Sequence, residues 1–156
     1  MMAITINWTS EEDTSKFATA LATVVSAGDI ICLEGDLGAG KTTFTKYFAK
    51  ALGIEQAIKS PTYTIIREYE EGPIPLYNMD AYRLEETGGE SVGLEDYLNG
   101  DGITIIEWPQ YVLEDLPDDY LWIKIESTGL TSRQVTVTGE GITGQNLLIQ
   151  LRKDFA

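Results

Sequence analysis

The stretch Gly35-Asp36-Leu37-Gly38-Ala39-Gly40-Lys41-Thr42-Thr43 decides how this chain is read. It matches G-x-x-x-x-G-K-[ST], a pattern that cradles phosphate chains on backbone N–H groups. Its flanks supply the context the pattern needs. Before it, Asp29-Ile30-Ile31-Cys32-Leu33-Glu34 is an apolar run of strand length. After it, Phe44, Tyr47, Phe48, Ala51 and Leu52 recur at helical spacing, and Gly53 ends the helix. The predicted order is strand, glycine loop, helix.

The residue types follow from the chemistry of a phosphate chain lying against backbone. Gly35, Gly38 and Gly40 permit close approach and positive φ. Successive N–H groups and the helix N-terminus then present partial positive charge to the anion. Lys41 would reach the β- and γ-phosphates, and Thr42 would place its hydroxyl on Mg²⁺. Thr43, one step further in, would meet the α-phosphate.

Working outward, the 156 residues fit one domain, 1–156, with room for a sizeable core. No apolar run reaches membrane-spanning length. Met1-Met2-Ala3-Ile4-Thr5-Ile6-Asn7 has no basic region, apolar core and cleavage site in sequence, so no signal peptide is expected. Cys32 is the single cysteine, which leaves no disulfide framework within the chain. A cytoplasmic location is expected. The balance of 11 basic against 25 acidic residues, formally −14, offers no broad basic face for nucleic acid. The acidity serves either solubility or an acidic docking surface. With no histidine in the chain, mechanisms that need imidazole are excluded.

Taken in order, Ile4 and Ile6 predict a first strand, and Thr9-Ser10-Glu11-Glu12 reads as a capping box. Phe17, Leu21, Val24 and Val25 mark a helix face that Gly28 closes. Beyond the glycine-loop unit, Tyr63 to Tyr69 and Ile74 to Met79 read as a hairpin, with Asp80 at its end. Gly88-Gly89 is a flexible point, and Glu90 to Leu98 reads as a short helix. Ile103-Thr104-Ile105-Ile106 is a second buried strand, stopped by Glu107-Trp108-Pro109. A helix through Tyr111 to Leu113, strands around Leu121 to Ile125 and Val135 to Val137, and a final helix from Gln145 to Arg152 complete the reading. Buried runs alternating with helices imply a parallel core, and the hairpins add antiparallel strands. The fold class is α/β: a three-layer domain of the P-loop NTPase type with a mixed, mainly parallel central sheet.

A phosphate loop needs an acidic group near the γ-phosphate, at the end of another core strand. Glu107 fits as a metal-linked carboxylate, or as a surface glutamate ending a strand. Asp80 fits as a general base, since no histidine is available, or as a turn cap. Ser60-Pro61-Thr62 reads as a γ-phosphate-sensing switch or a plain turn. Trp108 reads as a ligand-stacking ring or a buried aromatic. Arginine is confined to Arg67, Arg83, Arg133 and Arg152, too few for the lid of a nucleotide kinase, and no Asn-Lys-x-Asp guanine reader is present. ATP is favoured over GTP on that ground.

These pieces, in this order, resemble the bacterial TsaE (YjeE) family of tRNA threonylcarbamoyladenosine biosynthesis ATPases. The resemblance runs from about Thr14 to Arg133. It rests on Gly28-Asp29, Gly35 to Phe44, Ser60-Pro61-Thr62-Tyr63-Thr64, Asp80-Ala81-Tyr82-Arg83-Leu84, Gly93-Leu94 with Asp96-Tyr97, and Ile106-Glu107-Trp108-Pro109. It implies a Mg²⁺-dependent ATPase that works with TsaD and TsaB to form threonylcarbamoyl adenosine at position 37 of tRNA, enabling repeated cycles of that complex. It reaches tRNA only through those partners. Carried onto this chain, Gly35, Asp36, Leu37, Gly38, Ala39, Gly40, Lys41, Thr42 and Thr43 hold the nucleotide. Glu107 and Thr42 hold the metal, Asp80 and Glu107 are catalytic, and Thr14 and Arg133 approach the nucleotide with Asp80. The family usually carries histidine where this chain has Asn78, which accepts and donates hydrogen bonds but does not titrate. Two other readings stay open: a small-molecule or nucleoside kinase, and a nucleotide-gated interaction protein in which binding rather than hydrolysis matters.

Overall fold

The computed structural model describes residues 3–36, 38–58, 66–84 and 93–155. Leu37, Ser60-Pro61-Thr62, the predicted strand residues Tyr63 to Ile65, Gly88-Gly89 and the predicted helix residues Glu90 to Val92 lie outside them. In chain order the strands are β1 (Ala3–Trp8), β2 (Ile30–Glu34), β3 (Ile66–Tyr69), β4 (Leu76–Asp80), β5 (Ile103–Glu107), β6 (Tyr120–Ser127) and β7 (Arg133–Glu140). The helices are α1 (Glu11–Val24), α2 (Lys41–Ala51), α3 (Leu94–Leu98) and α4 (Gly141–Phe155).

The strands form one sheet of order β1-β7-β6-β2-β5-β4-β3. Its centre is parallel: β2 pairs with β5 and β6, and β4 pairs with β5. Antiparallel pairs, β3 on β4 and β7 between β6 and β1, extend both sides. A central parallel strand is covered on both faces, and β2 and β5 are accordingly near-continuous apolar runs. Side chains alternate between those faces. Ile31, Leu33 and Ile105 pack with Phe17, Phe44, Phe48 and Leu148 under α1, α2 and α4. Ile30, Cys32 and Ile106 pack on the other side with Met79, Leu94, Leu98 and Val112. The three-layer, mixed-sheet expectation holds, with a thin third layer of α3 and short 3-10 turns. No helix among the described residues is long and apolar enough to cross a membrane.

Several boundaries differ from the sequence reading. The predicted helix at Tyr111 to Leu113 is a pair of 3-10 turns, Pro109–Tyr111 and Leu113–Asp115. Val112, at φ −130°, leaves helical backbone after a single turn, and Pro117 bars continuation of the second. The capping pair before α1 is Thr9 with Asp13, not Thr9 with Glu12. Both the Thr9 N–H and its hydroxyl donate to Asp13 Oδ2, at 2.8 and 3.0 Å. On α2 the buried face runs through Lys41, Phe44, Thr45, Phe48 and Ala49, while Ala51 is exposed. α4 begins at Gly141, four residues before the predicted start.

Candidate active site

β2 and α2 hold the two ends of the glycine loop, and packing beneath it fixes its height. Phe44, fully buried in the first turn of α2, has its ring centroid 6.5 Å from Trp8 and 5.8 Å from Phe48. A Cβ on Gly35 would lie 2.9 Å from the Ile125 carbonyl oxygen of β6, so only glycine lets the chain leave β2 here. Gly40 caps α2 at φ 107°, a conformation L side chains rarely adopt. The first helical bond runs from the Phe44 N–H to the Gly40 carbonyl at 3.0 Å. The N–H groups of Lys41, Thr42 and Thr43 therefore have no acceptor within the helix, which is the arrangement that receives anions.

Parallel register brings the two predicted carboxylates together. Asp80 ends β4 directly opposite Glu107, which ends β5, and Glu107 is also opposite Leu33 of β2. The Ala81 N–H donates to the Glu107 carbonyl at 2.9 Å and locks the pair of strand ends. Both side chains are buried at 5% exposure. Asp80 Oδ1 accepts the Tyr82 N–H at 2.9 Å, which orients that carboxylate. Glu107 Oε2 is buried and has no hydrogen-bond partner among the described residues. Burial pushes the Glu107 carboxyl up to about 7, and the neighbouring Asp80 charge adds to this against the pull of Lys41.

Lys41 completes the cluster. It is buried, and loss of hydration lowers its pKa, while Glu107, Asp80 and Asp36 oppose that shift. Its Nζ lies 4.1 Å from the centroid of the Trp108 ring, a cation–π contact. Trp108 itself has φ 57°, the one positive value among the described non-glycine residues. Tyr82 and Tyr111 hold its ring at 5.1 and 6.2 Å. Backbone held in that region is sustained by its surroundings and concentrates at functional sites.

The donor set suits Mg²⁺ rather than a fully protein-bound cation. Among the described residues no three His, Cys, Asp or Glu side chains converge. Magnesium is commonly held by one or two protein oxygens, with phosphates and water completing its shell. Glu107, with an unpartnered buried oxygen, and the half-buried Thr42 match that requirement.

Arg133 is engaged with the loop itself. Its Nε donates to the Ala39 carbonyl at 2.8 Å and its Nη2 to Gly38 at 3.4 Å. Its Nη1 donates to Gly129 and Ser132 at 3.1 and 2.8 Å. Thr14, buried on α1, lines a cavity of about 400 Å³ together with Trp8, Gly40, Thr43, Leu130 and Arg133. Ala39 and Gly40 of the glycine loop also line that cavity, whereas Asp80 and Glu107 do not. Asp36 is exposed, and Gly38 and Gly40 both have positive φ. Asn78 is buried on the same face of β4 as Asp80, and its Oδ1 has no partner among the described residues. A larger cavity of about 580 Å³ lies elsewhere, beside α3. Among the described residues its lining carries Glu95, Asp96, Glu114 and Asp115 and no lysine or arginine, an acidic surround that disfavours a phosphate. Sequence reasoning left the role of Trp108 open and did not single out Trp8 or Leu130. Trp108 follows the strand-ending glutamate directly, and that adjacency was the available signal. Nothing local in the sequence marks the other two.

Comparison with known proteins gives one consistent answer. A profile of the family described as "Threonylcarbamoyl adenosine biosynthesis protein TsaE" matches residues 8–135. A Bacillus subtilis protein named tRNA threonylcarbamoyladenosine biosynthesis protein TsaE is 47% identical over 130 residues, covering 83% of this chain and 82% of its own length. A Nostoc relative of the same name is 40% identical over 142 residues, covering 88% and 87%. The crystal structure of Bacillus subtilis YdiB superposes with a TM-score of 0.84 at 38% identity, covering 99% of this chain and 98% of that one.

Proposed function

The chain belongs to the TsaE family of threonylcarbamoyl adenosine biosynthesis proteins, and from that premise we propose that it is a Mg²⁺-dependent ATPase serving threonylcarbamoyl modification of tRNA adenosine 37. The observation that carries the reading is the register pairing of Asp80 with Glu107 on adjacent parallel strand ends, beside Lys41 of the glycine loop. Acidic and basic groups of these types at these places do the work of phosphoryl transfer.

The phosphate chain lies along the loop N–H groups with its γ end toward the carboxylates. Lys41 leaves the face of Trp108 and pairs with the β- and γ-phosphates. Thr42 and Glu107 hold Mg²⁺, which neutralises phosphate charge when bound. Asp80, oriented by the Tyr82 N–H, accepts a proton from water. That water attacks the γ-phosphorus, the bond to the β–γ bridging oxygen breaks, and ADP and phosphate leave. The nucleoside end extends past Gly40 and Thr43 into the cavity beside Thr14. Hydrolysis supports repeated turnover of the TsaD and TsaB complex, in which TsaD carries the transfer chemistry and through which tRNA is reached. The chain acts in the cytoplasm.

A mixing assay tests this: ATPase rate and multiple-turnover tRNA modification, with and without TsaD and TsaB. Slow hydrolysis alone, changed by the partners, and modification beyond one turnover only with this chain present are the expected results. Phosphoryl transfer to a small acceptor in place of hydrolysis would instead support a kinase.

A further inference from the structure

We propose that Leu130 is a nucleotide-contacting residue that covers the purine base of the bound nucleotide. This rests on reading the adjacent loop as an ATP site. Leu130 is 98% exposed, the most exposed large apolar side chain among the described residues. A single exposed leucine is ordinary on a protein surface. Two features set this one apart.

The first is that its turn is tied down. The Thr128 N–H donates to the Ser132 carbonyl at 3.1 Å, and the Thr128 hydroxyl donates to the Ser132 hydroxyl at 2.9 Å. Arg133 Nη1 bonds the Gly129 and Ser132 carbonyls, while its Nε bonds Ala39 of the phosphate loop. One guanidinium thus spans the turn and the loop, and sets the separation between Leu130 and the phosphates.

The second is position. Exposed Leu130 lines the 400 Å³ cavity that Gly40 and Thr43, at the start of α2, also line. A nucleotide with its γ-phosphate toward Glu107 leaves the loop at that end, so its base enters this cavity. The volume lies within the roughly 300–1,000 Å³ typical of small-molecule sites. A purine face laid against the leucine would bury apolar surface that is otherwise wet. The contact is made through shape alone, so it adds affinity without choosing between purines. A protein docking on this side would need a contiguous apolar patch, and among the described residues Leu130 is the only large apolar side chain of this turn.

Titration of the full chain with ATP, ADP and inorganic tripolyphosphate, all with Mg²⁺, tests the assignment. Leu130→Ala is expected to raise the Kd of ATP and ADP equally, by about tenfold, a magnitude set by the burial of one leucine side chain. Tripolyphosphate competition should not change, and Leu130→Phe should hold ATP affinity within about twofold of the parent, because an aromatic ring also stacks on a base. Since the side chain touches nothing in the fold, the thermal midpoint of Leu130→Ala should match the parent. Unchanged ATP and ADP affinity in Leu130→Ala overturns the proposal while leaving the ATP site intact. If that variant instead loses only stimulation by TsaD and TsaB, the residue is a docking contact and the proposal is equally overturned. A loss shared by tripolyphosphate also overturns it. No ATP binding by the parent chain overturns both this and the site beneath it.

Discussion

Burial disturbs the protonation of Glu107. In the folded chain its carboxyl titrates near 7, against 4.5 when unperturbed. Between these values the folded chain keeps a proton that the unfolded chain has released. The stability Glu107 contributes is therefore present at about pH 4.5 and lost as pH rises through 7, by up to about 3 kcal/mol. Denaturant unfolding of the metal- and nucleotide-free chain beside Glu107→Gln checks this. The parent should lose stability relative to the variant between about pH 5 and pH 8, and a difference that does not vary with pH would refute it. Lys41 carries the opposite charge in the same cluster. Lys41→Ala should lower ATP turnover by about a hundredfold or more, the scale on which preorganised charge acts in phosphoryl transfer. Full turnover in that variant would remove Lys41 from the phosphates. Cys32 takes no part: burial raises its thiol pKa and keeps it a packed, protonated side chain.

At the scale of elements, the site is the meeting of strand ends with one helix start. Gly40 opens α2 at φ 107°. Gly40→Ala should cost about 1 kcal/mol or more of stability. It should also weaken ADP binding, because relaxing the strain moves the loop N–H groups; calorimetric titration would read it, and unchanged affinity would show that the loop tolerates a Cβ. The far end of the sheet has its own close approach. A Cβ on Gly144 of α4 would clash with the Tyr120 carbonyl of β6. Gly144→Ala should therefore lower stability by about 1–3 kcal/mol, as overpacking does, while leaving ATP affinity alone. Thermal unfolding together with nucleotide titration separates the two effects, and equal stability of variant and parent would show that α4 shifts freely. The elements also show why local reading erred where it did. Proline-framed Gln110 to Leu116 has helical-looking apolar spacing, but Val112 leaves helical backbone in its middle and the segment settles as two 3-10 turns. The start of α4 was missed because Gly141 and Gly144 look like breakers, while their actual use is close contact between helix and sheet.

For the whole molecule, the formal charge of −14 sets how it meets polyanions. The chain alone should not retard tRNA in a gel-shift assay at about 0.15 M salt, where a binder needs several cationic phosphate contacts. A shift by the isolated chain would require a local basic surface strong enough to outweigh that charge. Whole-molecule topology also turns scattered residues into one site. Asp80, Glu107 and Lys41 come from β4, β5 and α2, and only the order β6-β2-β5-β4 sets them side by side.

By itself, the sequence determined the strand, glycine loop and helix unit, the α/β class and the identity of the chemical groups. Each of these is written in local spacing: apolar runs, glycine positions and a carboxylate just past a strand. Tertiary structure alone decided how those groups act on one another. The pairing of Asp80 with Glu107, the raised Glu107 carboxyl, Lys41 resting on Trp108 and Arg133 gripping the Ala39 carbonyl all join residues far apart in the chain. Register and burial create those relations, and neither is a property of any one segment.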